Sequence, residues 1–246
     1  MKNITYTLLF LLTFMLVGCK STPNYLTAEQ LKSNYHKVMV FENSSDEIRP
    51  LYSIISQFYD PKFTRLMAKH QIEFVDSSRY FEVYEQLKAQ EQDNLFDPNT
   101  GQKNSQLALK LRLIALSQVK EELQLDAFVQ YGVKIRTAYF STSGFDFDAD
   151  WDGVSEPYLL DGAGAGDVLA SIFIKESGSV AALSFYIEFV DQELNTLSVG
   201  RGGIELLAKY NGDKFVTKKV ADVLDQAEQL ATAFELAATI LNGKSQ

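Results

Sequence analysis

The residue whose side chain most clearly indicates a chemical reaction is Cys19, the only cysteine of the 246-residue chain. Its thiol can act as a nucleophile, and it closes the segment Leu16-Val17-Gly18-Cys19. Ahead of this segment, Lys2 gives a positive start and residues 4–17 are almost wholly apolar. A charged start, an apolar core and a small residue before the cleavage point are the three parts of a secretory signal peptide. Because the apolar core is shorter than the roughly 20 residues that a membrane-spanning helix needs, we expect the leader to be removed.

The end of this leader resembles the lipobox of bacterial lipoproteins. The resemblance implies cleavage between Gly18 and Cys19, acylation of the Cys19 thiol and a further acyl chain on the new amino terminus. Two or more acyl chains hold a protein firmly at a bilayer, whereas one binds marginally. Lys20 stands where inner-membrane retention in that family typically uses Asp, so the resemblance implies the periplasmic face of the outer membrane. The alternative is an ordinary secreted protein with a chance cysteine.

These features predict three parts: a lipoprotein signal peptide at residues 1–18, a lipidated tether at 19–26 and a single α/β periplasmic domain at 27–246. The formal net charge of −9 argues against a nucleic-acid partner, because binding to a phosphate backbone depends on Lys and Arg. Hydrophobic residues make up 46% of the chain, which is typical of a folded globule.

Four aspartates alternate with other residues at Asp146, Asp148, Asp150 and Asp152. Read from Asp148, the run matches the first half of a calcium loop, in which alternate oxygens converge and a glycine makes the turn. The twelfth position of such a loop should be Glu, and here it is Leu159. A period of two equally describes a strand with aromatic residues inward and carboxylates in solvent. We favour the strand and predict no metal site, with weak Ca²⁺ binding kept as a hypothesis.

Residues 162–167 contain the spacing G-x-G-x-G, whereas dinucleotide-binding loops need G-x-G-x-x-G between a strand and a helix. We therefore predict a loop between strands and no cofactor. The two histidines, His36 and His70, are accompanied by no nucleophile motif, and His70 is expected at the end of a helix. From these residues we predict no catalytic group and no enzyme activity.

The spacing of apolar residues predicts the elements that position these groups. Helices are predicted over residues 27–35 with Thr27 as N-cap, 51–67 with a kink or restart at Asp60-Pro61, 105–123, and 222–243. Strands are predicted at 38–41, 72–75, 80–84, 127–140, 168–174, 180–190, 199–210 and, after a turn at Asn211-Gly212, 215–216. The inward face of 180–190 is expected to carry Leu183, Phe185, Ile187 and Phe189. The fold class is α/β (α+β): a mixed β-sheet with long antiparallel strands, covered by helices, and a long C-terminal helix.

Four short segments support a resemblance over most of residues 36–241. Residues 38–43 look like a first strand with a trailing Asn, 78–85 like the next strand, 125–132 like a helix-to-strand entry, and 189–191 like the end of a later strand. This arrangement resembles the α/β core shared by the curli-secretion (CsgG-like) lipoprotein, the lipoprotein activators of peptidoglycan synthases and the N-terminal domain of the translocation protein TolB.

The curli protein is a secretion pore whose subunits contribute transmembrane hairpins. The resemblance therefore implies a pore as an alternative function. The best hairpin candidate is residues 143–160, where aromatic residues alternate with aspartates as a membrane strand requires. A second hairpin would have to come from residues 199–216, which are evenly charged. One candidate hairpin without its partner argues against a pore.

The sequence therefore predicts an outer-membrane-anchored periplasmic lipoprotein that acts by contacts with other envelope proteins, as an assembly or regulatory accessory. The alternatives are a subunit of a CsgG-like oligomeric secretion pore and a lipid-anchored hydrolase. Its lipidated N-terminus would bind the membrane, whereas the identity of the partner and the oligomeric state are left open.

Overall fold

The computed structural model describes residues 25–42, 48–141, 147–160 and 177–243. The predicted leader with Gly18 and Cys19, the glycine run at 162–167 and the predicted strand at 168–174 lie outside the described residues. The observations below concern the predicted mature domain.

Seven strands of the described chain form one mixed sheet with β3 at its centre. The strands are β1 (Lys37–Glu42), β2 (Glu73–Val75), β3 (Ala127–Ser141), β4 (Asp148–Trp151), β5 (Val154–Pro157), β6 (Ser177–Val190) and β7 (Thr196–Leu206), with β8 (Ala208–Tyr210) and β9 (Phe215–Thr217) in a separate hairpin. One edge of β3 pairs in parallel with β1 near its start and antiparallel with β4 near its end. The other edge pairs antiparallel with β6 along nearly its whole length, and β6 pairs with β7.

Helices lie on both faces of this sheet. They are α1 (Ala28–Asn34), α2 (Tyr52–Lys69) after a 3₁₀ turn at Arg49–Leu51, α3 (Ser78–Gln90), α4 (Gln92–Leu95), α5 (Ser105–Leu123), α6 (Val220–Val223) and α7 (Ala227–Asn242). The predicted fold class is confirmed: α/β with a mixed sheet and a C-terminal helix. Among the described residues, none of the helices is both long enough and apolar enough to cross a bilayer.

The first face of the sheet is covered by α2 and α7. The predicted inward residues of β6 all belong to this buried cluster: Leu183, Phe185, Ile187 and Phe189. Tyr59 of α2 stacks on Phe185 with 3.9 Å between the ring centroids. Burial of these large side chains is the main stabilising contribution on this side, at about 25 cal/mol for each Å² of apolar surface removed from water.

The contact between α7 and β7 is a close approach of two backbones. Alanines of α7 lie over glycines of β7, and a Cβ added at Gly200 would stand 1.9 Å from the carbonyl oxygen of Ala237. At Gly202 the same distance, to the carbonyl oxygen of Ala233, is 2.1 Å. Since no side chain fits in that space, the glycines set how closely the C-terminal helix packs on the sheet.

The second face of the sheet has covered zones at its two ends. Near the start of β3, Met39, Phe41 and Phe128 pack against α3 and α5. Near the other end, the β4–β5 hairpin covers the sheet with Ala149 and Trp151. Between these two apolar clusters lies a stretch of β3, β6 and β7 whose side chains are mostly polar.

Two details of the predicted elements are wrong, and one of the two alternatives at Pro61 is excluded. Residues 80–84, predicted as a strand, lie in α3, because Tyr80 and Val83 are buried together on one helical face towards α5. The 78–85 segment therefore does not carry the second strand of the resemblance.

Helix α2 runs without a restart through Pro61, although proline removes a backbone hydrogen bond at a cost of about 3 kcal/mol. Buried residues on both sides of it, among them Tyr59 and Phe63, hold the two halves against the sheet. At the C-terminus, Asp222 lies in the separate short helix α6, and α7 begins after Gln226.

Candidate functional site

The residues predicted to be lipidated and cleaved, Cys19 and Gly18, lie outside the described residues, and both assignments stay predictions. His36 and His70 lie within the described part and contact different groups. His36 Nε2 is 3.1 Å from the carbonyl oxygen of Ser33, while His70 Nε2 is 3.1 Å from Asn242 Oδ1 at the end of α7. His70 is the C-cap of α2, as predicted, and burial lowers its pKa. Each histidine thus joins elements of the fold.

The strand interpretation of the aspartate run is confirmed over β4. Asp148 and Asp150 lie on this strand, and Asp152 occupies the turn to β5 with a left-handed φ of 38°. The side chain of Asp152 forms an ion pair with Arg136, at 3.4 Å between Oδ2 and Nε. Asp146 lies outside the described residues, and within them no group of three potential metal ligands is found.

The most distinctive polar site of the described chain lies on the second face of the sheet, between the two apolar clusters. It is a cavity of about 70 Å³, named here the sheet-face cavity. Its lining residues are Lys134, Arg136, Asp152, Ser184, Tyr186, Glu188, Val199 and Arg201. Three cations and two carboxylates therefore share a small space within an acidic protein.

The strand register brings these side chains together. In the antiparallel ladders, Lys134 stands opposite Ser184, and Tyr186 stands opposite Arg201. Directly paired residues point to the same face, so successive strands contribute one layer of polar groups. Asp152 reaches the layer from the turn of the β4–β5 hairpin. Gly203 lets that hairpin lie on β7, because a Cβ there would stand 2.0 Å from Val154 Cγ2.

Lys134 is the most crowded charge in the cavity. Its Nζ lies 4.1 Å from the centroid of the Tyr186 ring and 3.9 Å from Glu188 Oε2. Burial lowers the pKa of Lys134, Glu188 opposes this effect, and the neighbouring Arg136 and Arg201 lower the pKa further. Glu188 also accepts a 2.6 Å hydrogen bond from Thr196 Oγ1. The cavity thus holds more positive than negative charge.

The cavity lining contains two buried oxygens without a hydrogen-bond partner among the described residues, Ser184 Oγ and Asp152 Oδ2. Ser184 is 1% exposed, and its Oγ has no hydrogen-bond partner among the described residues. A register shift between β6 and β7 falls next to it, between Leu183 and Ser184. A buried polar group without a partner costs about 1–3 kcal/mol, so the Ser184 hydroxyl lowers the stability of the fold by about that amount.

The lining combines hydrogen-bond donors, on Lys134 and the two arginines, with the acceptor oxygens of Asp152 and Glu188. Arg136 forms an ion pair with Asp152, and Lys134 lies beside Glu188.

This cavity was not predicted from the sequence, because the predictions used only the apolar residues of each strand, which all point to one face of the sheet. The signal is present in the other phase, in which Lys134 and Arg136 alternate on β3 while Ser184, Tyr186 and Glu188 alternate on β6. Recognising that these residues meet requires the register of β3 on β6. The sequence alone does not provide that register.

The start of the described chain is hydrogen-bonded to β7, on the edge of that strand that does not pair with β6. The backbone N–H of Leu26 donates to the carbonyl oxygen of Leu197 at 2.9 Å, and Ser198 Oγ donates to the carbonyl oxygen of Leu26 at 3.0 Å. Thr27 then caps α1 in a reciprocal bond pair with Gln30, as predicted for an N-cap. The predicted tether is therefore bound to the fold at its last residue.

The fold defines an α/β protein with helices on both faces of a mixed sheet. The chain matches no protein-family model, no curated protein and no solved structure.

Proposed function

We propose that this protein is a lipoprotein, anchored through Cys19 on the periplasmic face of the outer membrane, that acts by contacts with other envelope proteins. The observation that carries the proposal is the short distance in sequence between the lipobox-like cysteine and the first residue that the structure describes. Cys19 and Tyr25 are separated by a few residues that, fully extended, span at most about 20 Å. Since Leu26 is already hydrogen-bonded to β7, the domain works next to the membrane surface.

Contacts with other proteins are supported by apolar side chains at the far end of the sheet. β7 leads from the attachment of Leu26 to the β8–β9 hairpin, about 35 Å away along the strand. At that end Tyr139 is 69% exposed on the first face of the sheet, and Phe215 and Val216 of the β8–β9 hairpin are also exposed. Exposed apolar side chains are common at protein interaction sites, and these lie away from the anchored edge.

A pore is the weaker alternative because of how the β4–β5 hairpin packs. Its apolar residues would face lipid in a membrane ribbon, yet Ala149 is fully buried and Trp151 is 6% exposed within the domain. Trp151 Nε1 also lies 3.3 Å from the carbonyl oxygen of Leu183, to which it donates a hydrogen bond. Insertion would have to expose this cluster and break that bond.

The anchoring is tested by metabolic labelling with an alkyne fatty acid and by mass spectrometry of the mature N-terminus. We expect label on the wild type, cleavage before Cys19, and fractionation with outer membranes. Cys19→Ala should lose the label and the membrane association, whereas Lys20→Ala serves as a matched control that keeps both. A Cys19→Ala protein that stays on the membrane would contradict the proposal.

The contact function is tested by a photo-crosslinking amino acid placed at Tyr139 or Val216 in intact cells. Gln86, an exposed polar position on α3, is the control site. We expect a discrete crosslinked protein from the first two sites that is absent from Gln86 and is reduced by Cys19→Ala. Equal crosslinking from all three positions would argue against a specific surface there.

A further inference from the structure

A basic patch lies where helices α1, α2 and α7 end close to one another. Its members are Lys32 in the last turn of α1, Arg65 and Lys69 in the last two turns of α2, and His70, the C-cap of α2. Arg65 and Lys69 are exposed and four residues apart, so both side chains project from the same face of α2. These cations are concentrated on one surface of a chain whose formal net charge is −9.

Side chains from two helices converge at one point of the patch. Lys69 Nζ and His70 Nε2 each lie 3.1 Å from the same oxygen, Asn242 Oδ1 at the end of α7. Burial lowers the pKa of the His70 ring, and the hydrogen bond to Asn242 opposes this effect. The positive charges of Lys69 and Lys32 lower the same pKa further. Two lysines from different helices therefore lie close enough to act on one ring.

The cations of the patch are not neutralised by ion pairs in the part of the chain that the structure describes. Lys32, Arg65 and Lys69 form no ion pair there, and neither does Glu29, which stands one turn before Lys32 on α1. Each lysine or arginine beside an anionic membrane surface strengthens binding by about fivefold. Repulsion from the acidic remainder of the domain is screened, because the Debye length is about 8 Å at physiological salt.

The basic patch also lies next to the point at which the described chain enters the fold. A Cβ added at Gly243 would stand 3.9 Å from Ala28 Cβ, so the end of α7 packs against the first turn of α1. Lys32 is four residues after Ala28 and therefore projects from the same face of α1, about 6 Å further along the helix. Since the segment between Cys19 and Tyr25 spans at most about 20 Å, an anchor at Cys19 would hold the patch near the bilayer.

We propose that the basic patch binds the anionic phospholipid headgroups of the membrane to which the chain is anchored. Lys32, Arg65 and Lys69 contact the headgroup phosphates, and this contact orients the domain with the ends of α1, α2 and α7 towards the bilayer. The position of the patch at a membrane rests on the proposed anchoring through Cys19, whereas its preference for anionic headgroups does not.

The test attaches the protein to vesicles by a reaction that does not depend on acylation in the cell. The mature chain, made without the leader, is coupled through the thiol of Cys19 to a maleimide lipid. The vesicles contain either phosphatidylcholine alone or phosphatidylcholine with an equal part of phosphatidylglycerol. A fluorescent amino acid at Ala68, an exposed position beside Lys69 on α2, reports how close the patch comes to nitroxide-labelled headgroups. The same amino acid at Gln86, exposed on α3, is the control site.

We expect strong quenching of the probe at Ala68 in the vesicles that contain phosphatidylglycerol and much weaker quenching in phosphatidylcholine alone. Raising the salt concentration to about 0.5 M should remove most of this difference, because the attraction between surface charges is screened. The triple variant Lys32→Gln, Arg65→Gln, Lys69→Gln should lower the ratio of docked to undocked domain by at least about tenfold, since each cation contributes about fivefold.

A matched variant removes three positive charges from another surface. Lys103→Gln, Lys110→Gln, Lys120→Gln changes the net charge by the same amount, and these lysines lie on or just before α5, which covers the second face of the sheet. The probe at Ala68 should be quenched in this variant as it is in the wild type. Near-ultraviolet circular dichroism shows that each variant is folded.

Three results would overturn the proposal. They are equal quenching at Ala68 in the two kinds of vesicle, equal quenching at Ala68 and Gln86 in the anionic vesicles, and wild-type quenching in the triple variant of the patch. A failure of Cys19 acylation in cells would contradict the anchoring proposal, yet it would leave the result with the chemically coupled protein unchanged. The two proposals can therefore fail separately.

Discussion

At the scale of single residues, two tyrosines packed near the same sheet differ in how their hydroxyl groups are satisfied. Tyr59 is fully buried on α2, and its hydroxyl has no hydrogen-bond partner among the described residues. Burial raises the pKa of Tyr59, so the hydroxyl stays protonated at any ordinary pH. The hydroxyl of Tyr131 donates a 2.7 Å hydrogen bond to Asp60 Oδ1. The ring of Tyr59 therefore stabilises the core by packing, whereas its unpaired hydroxyl lowers the stability of the fold.

Replacing Tyr59 by Phe should leave the free energy of unfolding unchanged or raise it by up to about 1 kcal/mol, because an unpaired buried group is removed. Tyr131→Phe, the matched change, should lower it by about 1–3 kcal/mol, since a hydrogen bond to a carboxylate is lost. Urea denaturation of the mature protein measures both values. A larger loss in Tyr59→Phe than in Tyr131→Phe would show that the Tyr59 hydroxyl has a partner.

Residue types alone predicted only part of the site chemistry. The alternation of Asp148 and Asp150 correctly indicated a strand, because a period of two is visible in a single segment. The burial of Ser184 between β3 and β7, next to a register shift, is a result of strand pairing that no local pattern reveals. Chemistry that arises from pairing was therefore missed.

At the scale of elements, the glycines of β7 are the least replaceable part of the α7 contact. Gly202 faces the carbonyl oxygen of Ala233 so closely that a methyl group has no space. Relief would require α7 to move away from the sheet and would loosen the packing of Phe234 and Leu241, two buried side chains of α7 itself.

We predict that Gly202→Ala lowers the free energy of unfolding by at least about 2 kcal/mol through overpacking. Gly101→Ala is the control: its Cβ meets nothing within 4 Å, but its φ is +68°. That change should cost about 1–2 kcal/mol from backbone strain alone. Denaturation followed by the fluorescence of Trp151, the sole tryptophan, compares the two variants. A loss in Gly202→Ala that is no larger than the loss in Gly101→Ala would contradict the prediction, because α7 would then move to make room at little cost.

Element type was predictable where a long pattern repeats and ambiguous where it is short. The alternation across β3 extends over 15 residues and was assigned correctly. Residues 80–84 are too few to distinguish the helical repeat of apolar residues from the strand repeat. In the structure Tyr80 and Val83 pack together against α5, and this packing favours a helix.

At the scale of the whole molecule, the sheet separates the attachment of the N-terminal segment from the exposed apolar end. The sequence predicted the α/β layers correctly, because hydrophobic faces of helices and strands must cover one another. It did not predict that the second face of the sheet is left open between two clusters. That opening follows from where α5 and the β4–β5 hairpin end.

The accessory and pore alternatives make different predictions for Trp151. In the accessory protein its ring stays in the domain, so brominated lipid chains should leave its fluorescence nearly unchanged in vesicles carrying the lipidated protein. In a pore the hairpin would enter the bilayer and the fluorescence would be quenched. The double variant Trp151→Phe, Lys20→Trp is the positive control, because a tryptophan beside the anchor should be quenched. Strong quenching of wild-type Trp151 would favour the pore.

The attachment of Leu26 also determines how the domain responds to force. In the proposed anchored protein, a pull on the N-terminal segment would reach the described residues first at the two hydrogen bonds that join Leu26 to β7. Helix α1 follows, held mainly by its cap and by the buried Leu31. Its unwinding would release about 30 Å of extra chain while the sheet remains intact. In the proposed anchored protein, the first ten described residues would therefore be a reserve of length that lets the domain move away from the membrane under tension and return when the tension ends.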